Sequence, residues 1–339
     1  MAATASPVQV PFPALIGDIG GTNARFALVP DRDAPLQVFR SVATADFPTI
    51  EDAIEASVPA HSSLRPRSAI IDIAGPISGD AVRLTNAHWM IRPRDVMAKL
   101  GIEDVILLND FEALALALTA LGAEDLVSTG GHPTASGAKV VIGPGTGLGV
   151  GALVEAGGLW VPVPGEGGHV AFGPDEEDEF PLWDNIEPEL GRISAEAILC
   201  GRGMVRLYRA VAKTEGCDAI LTTPAKITKV ALDGSDPVAV RTVSLWVRFL
   251  GRLAGDMALV FMARGGVYIG GGIPPRLLPF LRDDEFRRVF EKKAPHEAAM
   301  AEIPTYVIVG ENPALQGLAA FARTPEKFGV NLAGRRWSS

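Results

Sequence analysis

The sequence predicts an α/β protein of two halves, each opening on the same device. The first observation is a pair of glycine-rich turns about 125 residues apart, each set between apolar runs that read as strands. One is Gly17-Asp18-Ile19-Gly20-Gly21-Thr22-Asn23, and the other is Gly143-Pro144-Gly145-Thr146-Gly147-Leu148-Gly149. The second is the alternation of strand-like with helical segments, the pattern of mixed sheets flanked by helices. The third is size: 339 residues, 47% hydrophobic and 21% charged, suffice for two cores. Glycine lets successive backbone N–H groups converge without steric cost, and converging N–H groups make an anion nest. The repeat therefore points to a duplicated fold gripping one polyphosphate from both sides.

In chain order, residues 1–13 read as a flexible leader, without the basic start and apolar centre of a secretory signal. After the first hairpin, residues 37–42 read as a third strand and 50–57 as a helix. Residues 67–74 alternate and then turn at Gly75-Pro76, which marks a strand. Residues 93–100 read as a helix with Pro93 in its first turn. A short buried strand at 105–108 leads into an apolar-rich helix at 111–121. The turn-rich stretch 129–137 suits a boundary, and the second hairpin then restarts the pattern. Helices are expected at 195–199, 204–213 and 238–263, strands at 266–269 and 304–309, and a last helix at 313–322. The acidic stretch 175–189, with Pro181 and Pro188, reads as a solvated surface element.

Several classes are disfavoured. A net charge of −9 argues against wide nucleic-acid contact, which depends on neutralising phosphates. No apolar run reaches the roughly 18 residues of a membrane span. Cys200 and Cys217 are the only cysteines, too few for a disulfide framework or a four-cysteine zinc site, and they suit a reducing cytoplasm. There is no G-x-x-x-x-G-K-[ST] and no complete G-x-G-x-x-G between strand and helix. A phosphate grip must come from the hairpin turns.

Three further pieces carry chemistry. Asn109 and Asp110 stand where a strand ends and a helix begins, and either could serve as an N-cap. Ligands also gather beyond the carboxyl ends of strands in open α/β sheets. A carboxylate there can take a proton from a substrate hydroxyl while the neighbouring amide fixes the substrate. Pro164-Gly165-Glu166-Gly167-Gly168-His169 sets an acid and an imidazole on a turn of little bulk, suited to the hydroxyls of a neutral polyol. Glu196 opens a helix and by itself reads as a first-turn acid.

With Thr85-Asn86, Trp89 and Gly270-Gly271-Gly272-Ile273, these motifs run in order from about Leu15 to about Ala322 and resemble the bacterial glucokinases of the hexokinase-type, actin-like ATPase superfamily. The resemblance implies a two-domain, duplicated ribonuclease H-like fold with a central cleft. Residues 14–122 plus 311–339 would form the small domain, and 123–310 the large one. It implies transfer of the ATP γ-phosphoryl group to O6 of glucose, with Asp110 as general base. Asn109, Asp110, Glu166, His169 and Glu196 would hold the sugar. Gly17, Asp18, Gly20, Gly21, Thr22, Asn23, Gly145 and Thr146 would cradle the phosphates, and Gly270, Gly271 and Gly272 would admit the nucleoside. Asp18 would stand nearest Mg²⁺, through water. The partners implied are glucose and Mg-ATP, with no nucleic acid or membrane, in a cytoplasmic homodimer.

The chain departs from the family at Cys200-Gly201-Arg202-Gly203, where Ser-Gly-Pro-Gly is usual. Two cysteines cannot build the clustered-cysteine zinc motif of the related ROK sugar kinases and repressors. The dozen or so residues before the first strand are too few for a DNA-binding helix pair. Open alternatives are a kinase for mannose or an N-acetylhexosamine, a non-catalytic sugar-sensing regulator, and ADP or polyphosphate as donor.

Overall fold

The computed structural model describes residues 8–58, 62–75, 77–84, 87–134 and 136–339. Thr85 and Asn86, named in the sequence motif, lie outside them, as do Pro76 and Ala135. The chain divides into two units: Met1–Gly122 with Leu153–Pro164 and Glu311–Ser339, and Ala123–Ala152 with Gly165–Gly310.

The strands are β1 (Ala14–Ile19), β2 (Asn23–Val29), β3 (Gln37–Val38), β4 (Val42–Ala43), β5 (Ser68–Ile73), β6 (Val82–Arg83), β7 (Met90–Ile91) and β8 (Asp104–Asn109). They continue with β9 (Leu126–Gly130), β10 (Lys139–Pro144), β11 (Leu148–Ala156), β12 (Leu159–Gly165), β13 (Gly266–Ile269), β14 (Thr305–Ile308) and β15 (Arg336–Ser338). The first sheet has the order β15-β8-β5-β1-β2-β3, with β4 also on β2. β1 runs antiparallel to β2 and parallel to β5, and β5 runs parallel to β8.

Period-two alternation gives this sheet two faces. Leu15, Ile19, Ile71, Ile73, Val105 and Leu107 share one core with residues of the helices Ile50–Ser57 and Pro93–Leu100. Ala14, Ile16, Ile70, Ile106 and Leu108 share the other with residues of Asp110–Ala117 and Pro313–Arg323. With both faces covered, the central strands are apolar almost throughout, as parallel strands must be.

The leader is fixed from Val8 onward, which corrects the expectation of a loose segment there. Val10 is buried in the second of these cores, the Pro11 carbonyl accepts from Ser68 Oγ, and the Gln9 carbonyl accepts from Arg336. Two smaller differences are local. The third strand is split into β3 and β4, and the helix expected at 111–121 runs Asp110–Ala117. Beyond Ala117 the bonds tighten to i→i+3, as in Thr119 N–H to the Leu116 carbonyl.

The second sheet has the order β12-β11-β10-β13-β14-β9. β13 is parallel to both β10 and β14. The long helix Pro237–Phe261, capped by Asp236 on Ala239 N–H, supplies much of this unit's core. The acidic stretch is not a solvated element. Glu179 is fully buried and accepts from Arg252 at 2.7 Å and from Asp175 N–H at 2.8 Å. Glu176 pairs with Arg288, Arg248 and Lys292, and the Arg288 hydrogen bond holds its carboxyl down at about 2. Basic residues on the helices Pro237–Phe261 and Asp284–Glu291, distant in sequence, turn these acids inward.

Candidate active site

In the first unit, the turn joining β1 and β2 is closed by Gly20 N–H donating to the Asn23 carbonyl at 3.0 Å. Thr44 braces it, its hydroxyl on the Gly21 carbonyl and its N–H on the Thr22 carbonyl, both at 3.0 Å. Thr22 and Asn23 are exposed at the tip. Gly17 lies within β1 opposite Phe26, whose ring takes the room a side chain would need. Asp18 faces Arg25 across the hairpin, with Arg25 Nη1 donating to Oδ2 at 2.9 Å.

The register carries this acid toward a second. Asp18 pairs with Asp72 on β5, and Asp72 with Leu108 on β8, two residues before Asp110. Asp72 is fully buried, and neither of its oxygens meets a hydrogen-bond donor among the described residues. Burial pushes its carboxyl well above the ordinary aspartate range, reinforced by the negative charges of Asp18 and Asp110. A contact between the Asp72 and Asp18 carboxyls becomes a hydrogen bond only with a proton between them. Asp72 was missed in the sequence because one acid inside a strand carries no motif.

Asn109 and Asp110 close this cluster at the end of β8. Asn109 caps the following helix, its Oδ1 accepting from Phe111 N–H at 2.9 Å. Glu112 reaches back to Asn109 N–H at 3.0 Å and is paired with Arg335. The capping reading and the substrate reading of Asn109 are compatible. The cap uses the carbonyl oxygen, while the amide NH₂ has no partner among the described residues. Asp110 Oδ1 accepts from its neighbour's N–H at 3.0 Å, and the side chain is partly exposed.

In the second unit the remaining motifs converge at the carboxyl ends of β10 and β13. The turn Gly145-Thr146-Gly147 is closed by Gly145 N–H on the Gly147 carbonyl at 2.8 Å, and Thr146 is exposed at its tip. Gly201 N–H donates to the Gly145 carbonyl at 2.9 Å. Glu196 Oε2 accepts from Leu148 N–H at 2.8 Å, which ties this acid to the turn. Gly271 has φ +84°, and an added Cβ would stand 2.3 Å from the Pro144 carbonyl oxygen, so only glycine fits. Gly270 N–H donates to the Ile142 carbonyl, while Gly272 borders open space.

Glu166 and His169 flank a short 3₁₀ turn, Gly167–His169. An added Cβ at Gly168 would lie 1.9 Å from the Leu148 carbonyl oxygen, so the missing side chain lets this turn lie directly on β11. His169 Nε2 is 3.7 Å from Glu166 Oε2, and both heads are exposed. Arg192 donates to the His169 carbonyl, and Ala195 N–H to that of Val170. The 164–169 turn and the helix bearing Glu196 are thereby held together.

The fold and these two groups of residues define a hexokinase-type protein of the actin-like ATPase superfamily. A family model described as Glucokinase matches residues 15–325. The chain is 54% identical over 334 residues to the glucokinase of Sinorhizobium medicae, covering 98% of each chain. The crystal structure of a glucokinase from an Antarctic psychrotroph aligns with a TM-score of 0.82 at 30% identity, covering 93% of this chain and all of that one. That of Balamuthia mandrillaris glucokinase, solved in complex with glucose, aligns at 0.76 and 25% identity, covering 95% of each chain. The chain belongs to the glucokinase family.

Proposed function

We propose that this chain transfers the γ-phosphoryl group of ATP to O6 of glucose. The observation that carries the residue assignment is Asp110, an acid at the carboxyl end of a central strand, beside an amide whose oxygen is already used as a cap. Asp110 takes the O6 proton as the O6–Pγ bond forms and the bond from Pγ to the β,γ-bridging oxygen breaks, releasing ADP. Asn109 donates its amide N–H to the sugar. Glu166, His169 and Glu196 hold further hydroxyls. Gly17, Asp18, Gly20, Gly21, Thr22 and Asn23 on one side, with Gly145 and Thr146 on the other, serve the phosphates, and Gly270, Gly271 and Gly272 serve the nucleoside.

Mg²⁺ belongs to the nucleotide substrate. No group of three His, Cys, Asp or Glu side chains placed to hold a metal ion occurs among the described residues. Asp18, paired through Oδ2 with Arg25, would meet the ion through a water of its shell. Bound Mg²⁺ neutralises phosphate charge. No helix among the described residues is long and apolar enough to cross a membrane. The family resemblance supports a cytoplasmic homodimer.

Hexose-dependent ADP release with glucose, mannose, fructose and N-acetylglucosamine in parallel tests the reading. Glucose-selective turnover is expected. Asp110→Asn should lower kcat by roughly 10²–10⁴-fold, the usual contribution of a general base, while calorimetry still detects glucose binding. Turnover near wild type in this variant would remove Asp110 from the base role.

A further inference from the structure

The Cys200-Gly201-Arg202-Gly203 segment, where the sequence leaves the family pattern, stands at a cavity of about 480 Å³. Thr146 and Gly201 border it, Val205 and Pro224 give it apolar wall, and Arg202 and Arg209 give it positive charge. Its size, its mixed lining and the glycine turn at its edge suit the nucleoside and inner phosphates of a nucleotide. Arg202 also stands against two acids. Its guanidinium is 3.4 Å from Glu189 Oε1 and 3.9 Å from Glu196 Oε1.

Glu196 has two oxygens in unequal positions. Oε2 is committed to Leu148 N–H, so Oε1 is the oxygen left for a sugar hydroxyl, and Arg202 stands against it. We infer that Arg202 is shared between donor and acceptor: a nucleotide phosphate in the Thr146 cavity draws the guanidinium off Glu196 and frees Oε1 for glucose. The inference rests on the proposed roles of Thr146 and Glu196.

The exchange runs in the stated direction for a physical reason. The Arg202 side chain is 63% exposed, and its carboxylate contacts are long. Exposed pairs of this kind contribute little, whereas a guanidinium can meet a phosphate through two parallel charge-assisted hydrogen bonds. Glu189 is not stranded by the move, because Arg206 also pairs with it at 3.4 Å and is anchored on the Ala197 carbonyl. Donor and sugar should therefore bind with positive coupling, and by linkage each should tighten the other equally.

The test is calorimetric titration of glucose into the full chain, with and without Mg²⁺ and the non-hydrolysable β,γ-imido analogue of ATP. In the wild type the nucleotide should lower the glucose Kd by about fivefold or more. In Arg202→Ala the nucleotide-free Kd should already be lowered toward the nucleotide-bound wild-type value, and the ratio should shrink below about twofold. Arg202→Lys, which keeps the charge without the fork, should retain more of the ratio than alanine does. A wild-type ratio near one, or an undiminished ratio in Arg202→Ala, overturns the inference while leaving the kinase reading intact. Absence of glucose binding in the wild type would overturn both, and a thermal melt of each variant checks its fold.

Discussion

Asp72 in the first unit and Glu179 in the second are both fully buried acids with an oxygen that meets no hydrogen-bond donor among the described residues, yet only Glu179 is held in an ion pair. Glu179 faces Arg252, whose guanidinium lies 4.6 Å from the Phe172 ring centroid and 5.1 Å from that of Phe249 and also donates to the Gly173 carbonyl. Asp72 meets no donor among the described residues, where its charged neighbours are Asp18, Asp110 and, with opposite sign, Arg25. A buried charge is tolerated where a partner and further hydrogen bonds replace water. Where they are missing, the acid keeps its proton instead. Glu179 therefore fastens the chain segment that leads back to Glu166 and His169. Asp72 stands beside Asp18 in the register of β1 and β5, with its carboxyl pushed well above the ordinary aspartate range by burial.

The comparison is broken most strongly at Arg252. Arg252→Met takes the hydrogen-bonded cation from Glu179 and leaves only Arg248, 3.7 Å from Oε1, so denaturant unfolding should show a loss of up to about 3–5 kcal/mol. Adding Glu179→Gln should restore part of that loss, since the stranded charge is then gone. Full stability in the single variant would mean that Glu179 does not depend on Arg252.

The two regions should also respond to pH in opposite senses. Asp72 has a raised folded-state pKa, so its contribution is complete below the unfolded value near 3.8 and is lost as pH rises toward the folded one. Glu176, held down at about 2 from an ordinary 4.5, contributes above 4.5 and loses that contribution as pH falls toward 2. Unfolding free energy measured across pH should lose part of its fall above pH 3.8 in Asp72→Asn and part of its fall below pH 4.5 in Glu176→Gln. An unchanged profile above pH 3.8 in Asp72→Asn would show that burial does not raise the Asp72 carboxyl.

The smallest effect is expected at Arg25. Its pair with Asp18 is partly exposed, so Arg25→Ala should cost less than about 1 kcal/mol in a thermal or urea melt. A much larger loss would make Arg25 the partner that the Asp72 cluster depends on, and would draw the two buried acids closer in kind.

The two glycine turns illustrate how much was legible beforehand. Both hairpins, the Asn109-Asp110 junction and the polyol turn follow from short-range rules of glycine, capping and alternation. How each turn is supported does not. The first is braced by Thr44, the second by Gly201, Glu196 and the close approach of Gly271. The acidic stretch around Glu176 and Glu179 was misjudged for the same reason. Its arginine partners are about 70 to 110 positions away, beyond any local pattern.

The sequence by itself determined the α/β alternation, the duplicated glycine turns and the strand-to-helix junction at Asn109 and Asp110, because these depend on neighbours along the chain. The tertiary structure decided which acids lose their water, which arginine reaches them, and that Arg202 stands between Thr146 and Glu196. Burial and charge pairing are set by strands and helices packed from distant segments, and ionisation follows burial.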